Sequence, residues 1–252
     1  MVSDLRDEGM VARLATVLAP VEDELVERLS PRPGERWLDL GAGAGPVALR
    51  AARAGASVTA IDAAAPMVEK ARRDADAAGL AISLDVGNVE YLPYDDSTFD
   101  VLSSNFGFIF AADHANVAGE LARVARPGAR LGFTAWKPSP RLGELYRRFT
   151  EEPLEGREAA EWGREDHVED MLGEDFELEF SDGTLWIDAA SGEELWALFS
   201  TAAPPLLELL SKLDGARAES FHAAFVELYE HYREGDRIRA PRRYLLTLGT
   251  RR

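Results

Sequence analysis

The sequence predicts an α/β fold, a mostly parallel β-sheet with helices packed on both of its faces. Three observations carry that expectation. Short apolar runs alternate with helical stretches between Arg36 and Trp136, and strand–helix alternation at this spacing builds parallel sheets. Runs such as Trp37-Leu-Asp-Leu40 and Val101-Leu-Ser-Ser104 are continuous rather than alternating, as strands covered on both faces should be. Helix punctuation falls between them. Pro66 suits a first helical position, Gly79 a C-terminal cap and Asp113 an N-cap.

Taken in order, the chain opens with Val11, Leu14, Val17, Leu18, Val21, Leu25 and Leu29 at helical period. Pro20 is expected to break or kink that segment, so residues 1–34 read as N-terminal helices ended by Pro31-Arg-Pro-Gly34. The core, residues 35–138, has strand candidates at Arg36–Leu40, Ser57–Ile61, Ala81–Val86, Phe99–Ser104 and Arg130–Trp136. Helical candidates lie near Gly45–Ala54, Pro66–Ala78 and Asp113–Ala125. After Pro138 the rhythm is lost. Residues 139–175 read as helical and carry Tyr146, Phe149, Trp162 and His167, and the acidic run Glu151–Glu169 reads as a solvated face. Phe176–Phe180 alternates, Ser181-Asp-Gly183 has turn composition, and Thr184–Ile187 alternates again. Residues 190–236 are helical with a stripe at Phe221, Phe225, Leu228, Tyr229 and Tyr232, before a last strand at Arg243–Leu248. A single domain over 1–252 is expected, with terminal strands at 176–188 and 242–250.

Composition narrows the function. The 252 residues carry 45 acidic against 28 basic side chains, a formal charge of −17. That field opposes a broad phosphate-binding surface and argues against nucleic acid. No cysteine is present, which excludes disulfides, thiolate metal sites and cysteine nucleophiles. The N-terminus lacks the basic and apolar regions of a secretory signal. No stretch approaches the length of a spanning helix. A soluble cytoplasmic protein is expected, with no membrane partner.

The sharpest feature is Trp37-Leu-Asp-Leu-Gly41-Ala-Gly43-Ala-Gly45-Pro46, an apolar strand running into a glycine-rich turn that opens a helix. Such a turn lets a ligand approach the backbone, and the helix N-terminus offers N–H groups to an anionic group. Its place outside the carboxyl end of the first strand is where ligands bind open α/β sheets. A dinucleotide fingerprint would need a third glycine at position 46, which is Pro46, and no Gly-Lys-Ser/Thr follows. A ligand with a carboxylate and a ribose but no phosphate suits the loop better. Asp62, ending the next strand about twenty residues on, is placed to accept from ribose hydroxyls. A helix-capping role for it is poor, because Ala63–Ala65 intervene before Pro66.

With these segments in view, the sequence resembles the class I S-adenosylmethionine-dependent methyltransferases of the small-molecule, ubiquinone/menaquinone-methyltransferase-like type. WLDLGAGAG resembles the first motif, VTAIDAAAPMVEKAR the second strand and its helix, and Gly87–Tyr94 with Ser97–Val101 the segment covering adenine. Glu120–Leu131 resembles the turn into the fifth strand. The resemblance covers about residues 35–136. It implies a seven-stranded, mostly parallel Rossmann-like sheet with a C-terminal antiparallel hairpin and helical cap insertions. It also implies S-adenosylmethionine as cofactor, S-adenosylhomocysteine as product, and methyl transfer to a small organic acceptor by in-line displacement.

Carried over residue by residue, the resemblance gives the methionine end of the cofactor to Asp39, Gly41, Ala42, Gly43 and Gly45. Asp62 takes the ribose, Ala63 and Met67 the adenine side, Asn88 and Val89 the adenine itself, and Asn105 the neighbourhood of the methionine moiety or the methyl group. Asn88 stands where members often carry aspartate. An amide oxygen still accepts the adenine amino hydrogen.

The sulfonium methyl is already activated, so a base is required only where the acceptor must lose a proton. His114 is the candidate base, with a water-facing first-turn residue as its other reading; His167, His222 and His231 read as surface residues. No histidine has a companion at metal-ligand spacing, and no metal is expected. Phe106, Phe108, Phe110 and Trp136 cluster at strand ends, and with Tyr146 and Trp162 they are candidates for an apolar acceptor pocket or for plain core packing. A nicotinamide-dependent oxidoreductase and a non-catalytic nucleoside-binding protein of the same fold remain as alternatives. The expected partner is a small-molecule acceptor, and the expected state is monomer or homodimer.

Overall fold

In the computed structural model, residues 2–150 and 158–252 are described. The first helix, α1 (Val2–Leu29), is followed by β1 (Arg36–Leu40), α2 (Pro46–Arg53), β2 (Ser57–Asp62), α3 (Ala65–Ala77), β3 (Ile82–Val86) and β4 (Phe99–Asn105). After a single 3-10 turn at Phe108–Phe110 come α4 (His114–Val124), β5 (Ala125–Trp136) and α5 (Pro140–Arg147). A second 3-10 segment (Glu158–Gly163) leads to α6 (Glu165–Leu172) and β6 (Phe176–Ala189). The chain then forms α7 (Gly192–Ala202), α8 (Pro204–Lys212), α9 (Gly215–Glu230), β7 (Arg233–Glu234) and β8 (Arg237–Arg251).

The strands form one sheet in the order β3-β2-β1-β4-β5-β8-β6, with the two-residue β7 paired to β8 off that path. The pairs from β3 through to β5 are parallel, whereas β8 runs antiparallel to both β5 and β6. From β1 the connections run outward to β2 and β3 on one side, and later to β4 and β5 on the other. The crevice outside the carboxyl ends of β1 and β4 is therefore the topological switch point of the sheet. The α/β, mostly parallel architecture is as the sequence predicts, but the described residues form eight strands rather than seven. The extra one is β7, which forms the tight hairpin with β8 across Gly235.

Two local expectations fail for physical reasons. Ser181-Asp-Gly183 is not a turn, because β6 runs unbroken over 14 residues and pairs with β8 from Phe176↔Arg251 to Ala189↔Ile238. Gly183 is there because of Tyr244, its cross-strand partner: a Cβ on Gly183 would lie 2.0 Å from the tyrosine Cζ. A glycine inside a strand marks close approach as well as a bend. Strands β6 and β8 are an antiparallel pair separated by helices α7–α9, so the C-terminal hairpin proper is the short one. The N-terminal segment is one helix, with Pro20 inside it. Both sides of the proline have packing to satisfy: Val21, Leu25 and Leu29 are buried in the core, and Leu14, Val17 and Leu18 pack partly buried against it.

The core centres on Trp37, Phe108, Phe133, Trp162, Phe176, Phe221 and Phe225, each essentially without exposure. Asp113 caps α4 by accepting from the Asn116 N–H at 2.9 Å. No helix among the described residues is long and apolar enough to cross a membrane. The first part of the acidic run, residues 151–157, lies outside the described residues.

Candidate active site

The glycine loop and the loop after β4 press together backbone to backbone. Gly41 has φ +61, and a Cβ there would stand 2.6 Å from Gly107; a Cβ on Gly107 would stand 2.4 Å from the Gly41 carbonyl oxygen. No side chain fits on either partner, and this contact fixes the loop over the end of β4. The Gly43 position is open instead, since a Cβ there would meet only Met67 Cε at 3.8 Å. A ligand can thus pack against the Gly43 Cα without displacing a side chain.

Two aspartates hold the loop from opposite sides. Asp62 Oδ2 accepts from the Gly43 N–H at 2.7 Å and Oδ1 from the Ala64 N–H at 2.8 Å. Each oxygen keeps a free lone pair, and the residue is half-exposed at the mouth of the crevice. Asp39 behaves differently. It is 1% exposed, its Oδ1 accepts from Ser103 Oγ at 2.7 Å, and its Oδ2 accepts from the Ala48 N–H at 3.2 Å. Ser103 Oγ is itself held by the Trp37 indole N–H at 2.7 Å. Desolvation pushes the Asp39 carboxyl up to about 7, against the two hydrogen bonds that lower it. Asp39 is therefore a strut under the loop between β1, β4 and α2, with no face free to meet a ligand directly.

The remaining sequence candidates lie in the loop itself, in α3, or at the carboxyl ends of β2, β3 and β4. Asn88 is exposed, its Oδ1 accepting from the Glu90 N–H at 2.9 Å, with Val89 half-buried beside it. Ala63 is exposed and Met67 half-buried. Ala42 donates its N–H to the Ile61 carbonyl at 3.1 Å, tying the loop to β2. Gly45, with φ +79, is the N-cap of α2. Asn105 Oδ1 accepts from Thr134 Oγ1 at 2.7 Å.

A cavity of about 570 Å³ adjoins this loop. Gly43, Asn105, Phe106, Phe110, Trp136 and Tyr146 are among its walls. Phe106 stacks flat on Trp136, centroids 3.7 Å apart and planes 5° from parallel. It does so with φ +53, a conformation that costs a bulky residue roughly 1–3 kcal/mol. Phe108 is elsewhere: it is 1% exposed and packs on Phe133 and Trp162 in the core, away from the cavity lining. Trp162 is likewise fully buried there.

His114 does not face water. Its Nδ1 lies 2.9 Å from His167 Nε2, and its ring packs against Trp162 with centroids 5.0 Å apart. Both histidines are half-buried, and neither is in the cavity wall. His222 is half-buried, stacked on Trp196 and 2.8 Å from Glu193, and only His231 is exposed.

Sequence reasoning missed several wall residues. Leu14, Val17 and Leu18 from α1 close one side, Phe225 and Tyr229 from α9 another, and Lys137 and Arg242 supply cations. The apolar stripe of the first helix was a visible signal that it covers something. Nothing local marks Arg242 among its arginine neighbours.

Comparison with known proteins bears directly on this geometry. Residues 38–133 match the family described as "Methyltransferase domain", a span that includes the glycine loop, Asp62 and Asn105. That match covers under half of the chain, and over it the chain is similar to a methyltransferase domain. It is similar to an uncharacterized protein of Mycobacterium tuberculosis, 35% identical over 164 residues, 63% of this chain and 59% of that one. It is also similar to the demethylmenaquinone methyltransferase of Thermus thermophilus, 38% identical over 124 residues, 48% of this chain and 56% of that one. The matches span less than two thirds of either relative. Among solved structures, the fold resembles geranyl diphosphate C-methyltransferase from Streptomyces coelicolor A3(2), determined with Mg2+, geranyl diphosphate and S-adenosyl-L-homocysteine. The TM-score is 0.58 and the identity 17%, over 98% of this chain and 85% of that one. Within the matched span, the glycine loop and the end of β4 build the crevice. Most of the cavity wall lies outside the matched span, in α1, α5, β6 and α7–α9, with Arg242 from β8.

Proposed function

We propose that this protein is a cytoplasmic S-adenosylmethionine-dependent methyltransferase that acts on a small organic acceptor, as a monomer or homodimer. The single observation that carries the reading is the continuity of the two sites. One cavity is walled both by Gly43 and Asn105, at the cofactor loop, and by the apolar side chains under the helical cap.

In this reading Asp62 accepts from the ribose hydroxyls through its spare lone pairs, and the open backbone at Gly43 receives the methionine end. Ala63 and Met67 flank the adenine side, Asn88 and Val89 meet the adenine edge, and Asp39 keeps the loop in shape from below. Phe110, Trp136 and Tyr146 line the acceptor's place, and Phe108 belongs to the core behind them. When bound, the cofactor supplies a methyl group on a sulfonium, transferred by in-line displacement. The protein's part is to hold the acceptor in line and exclude water. The walls suit that task, since α1 and α9 cover the cavity with leucine, valine, phenylalanine and tyrosine side chains. No proton acceptor is needed for a nucleophile that attacks through a lone pair.

Isothermal titration with S-adenosylmethionine and with S-adenosylhomocysteine tests the reading. Saturable heat with both is expected, and no heat with either at high micromolar concentration would end it. Turnover of S-adenosylmethionine against a panel of phenols, amines and carboxylic acids then separates an enzyme from a binding protein.

A further inference from the structure

One charged side chain in the cavity wall has no ion-pair partner among the described residues. Arg242 lies on β8 opposite Leu185 of β6, and both face the cavity. The chain has 45 carboxylates for 28 basic groups, and the cavity's other cation is engaged, with Lys137 Nζ on the Asp182 carboxylate. Glu161, also in the wall, pairs with Arg164 at 3.6 Å. Arg242 has no carboxylate within ion-pair distance among the described residues. Its guanidinium instead stands 4.9 Å from the centroid of the Trp136 ring. A half-buried arginine held by a ring face keeps its five N–H donors for something else.

Its surroundings define that partner. Tyr146 and Tyr229 line the same cavity, and burial raises both phenols well above their usual range while the Arg242 charge opposes the rise. Both hydroxyls therefore stay protonated as donors. The remaining wall here is apolar, from Leu185, Ile187, Leu198, Phe199 and Leu206. The stack from Arg242 through Trp136 to Phe106 ends beside Asn105, at the loop where the methyl group would be delivered.

Resting on the methyltransferase reading, we propose that the acceptor is an amphipathic small molecule with one anionic group, a carboxylate, which Arg242 holds at the end of the cavity away from the reacting atom. An apolar or aromatic body fills the space between. Among the described residues of the cavity wall, this one uncompensated guanidinium matches one negative charge. The carboxylate of the cofactor's own methionine moiety is the other possible source of such a group, and the experiment separates the two.

The probes are 4-phenylbutyrate and 4-phenylbutanol, which share a body and differ in charge. Each is titrated calorimetrically into wild-type, Arg242→Met and Arg242→Lys protein saturated with S-adenosylhomocysteine. Wild type is expected to bind the carboxylate about tenfold more tightly than the alcohol, the usual size of a charge-assisted hydrogen bond. Arg242→Met, whose stem still covers Trp136, should lose that preference with unchanged S-adenosylhomocysteine affinity, and Arg242→Lys should keep part of it. Equal binding of the two probes by wild type, binding of neither, or a preference that survives in Arg242→Met would overturn the proposal. So would a loss of S-adenosylhomocysteine affinity in Arg242→Met, which would assign the arginine to the cofactor. Failure of wild type to bind S-adenosylhomocysteine is a different result and strikes the methyltransferase reading itself. Unfolding midpoints of the variants within a few degrees of wild type establish that each is folded.

Discussion

The carboxylate of Asp62 accepts a hydrogen bond from the backbone N–H of Gly43 at 2.7 Å, joining the end of β2 to the middle of the glycine loop. The same side chain accepts from the Ala64 N–H. A residue proposed to hold the ribose thus also sets the shape of the loop proposed to hold the methionine end. Asp62→Ala should weaken S-adenosylhomocysteine binding by roughly ten- to a hundredfold, as expected when hydrogen bonds to a charged group are lost. Asp62→Asn, with one carbonyl oxygen remaining, should fall between. Calorimetric titration of both variants checks this, and affinity unchanged in Asp62→Ala would show that the ribose lies elsewhere.

Backbone contact between the two loops gives a sharper structural test. Gly41→Ala places a methyl 2.6 Å from Gly107 at a positive φ, so stability should fall by ~3 kcal/mol or more. Gly119→Ala, in the body of α4 with nothing within 4 Å of the new methyl, should stabilise by ~0.5–1 kcal/mol. Urea midpoints of the two variants should move in opposite directions.

Buried acids give the protein a pH dependence with a definite sign. Burial pushes Asp39 up to about 7 and Glu22 up to about 6, the latter in spite of its 2.8 Å contact with Arg50. Unfolded, both groups titrate near 4. Between those limits the native state holds protons that the unfolded state has released. Their contribution is full below about pH 4 and is lost as pH rises through 6 and 7. Stability should therefore drop between about pH 5 and about pH 8, Asp39 supplying on the order of 3 kcal/mol of the change. In Asp39→Asn the slope should flatten, and urea denaturation at the two pH values measures it.

Gly183 and Tyr244 should behave as a coupled pair. Gly183→Ala drives a methyl into the tyrosine ring, whose hydroxyl donates to Glu24 on α1. Alone it should cost ~2 kcal/mol or more, whereas in a Tyr244→Ala background the same change should cost little. Thermal midpoints of the four proteins in that cycle decide it, and additive losses would show the contact to be unimportant.

What could be read from the sequence was what local chemistry controls. Strand β1 announces itself as Trp37–Leu40 and its loop as alternate glycines, and Asp113 caps α4 because a short acceptor precedes a helical run. Gly183 misled for the same reason. Ser-Asp-Gly has turn composition, and the ring that requires the glycine is 61 residues further along, on another strand. Asp39 was given to the ligand by its place in a motif, although an aspartate inside a strand buried on both faces is more readily spent on neighbours. His114 and His167 come together only once α6 docks on α4. The cavity walls were the least legible part, since they come from α1, α5, α7, α8, α9 and both antiparallel strands, and no local pattern shows which faces will meet.

The proposed acceptor chamber is assembled from distant ends of the polypeptide, Leu14, Val17 and Leu18 near the beginning and Arg242 near the close. The glycine-loop crevice, by contrast, is complete once β5 has emerged. A nascent chain can therefore shape the nucleoside half well before it owns a compartment for the second reactant. On the proposed reading, that order of completion separates the two binding tasks: alterations in the late-arriving walls would change which acceptor fits while the early half keeps its own ligand.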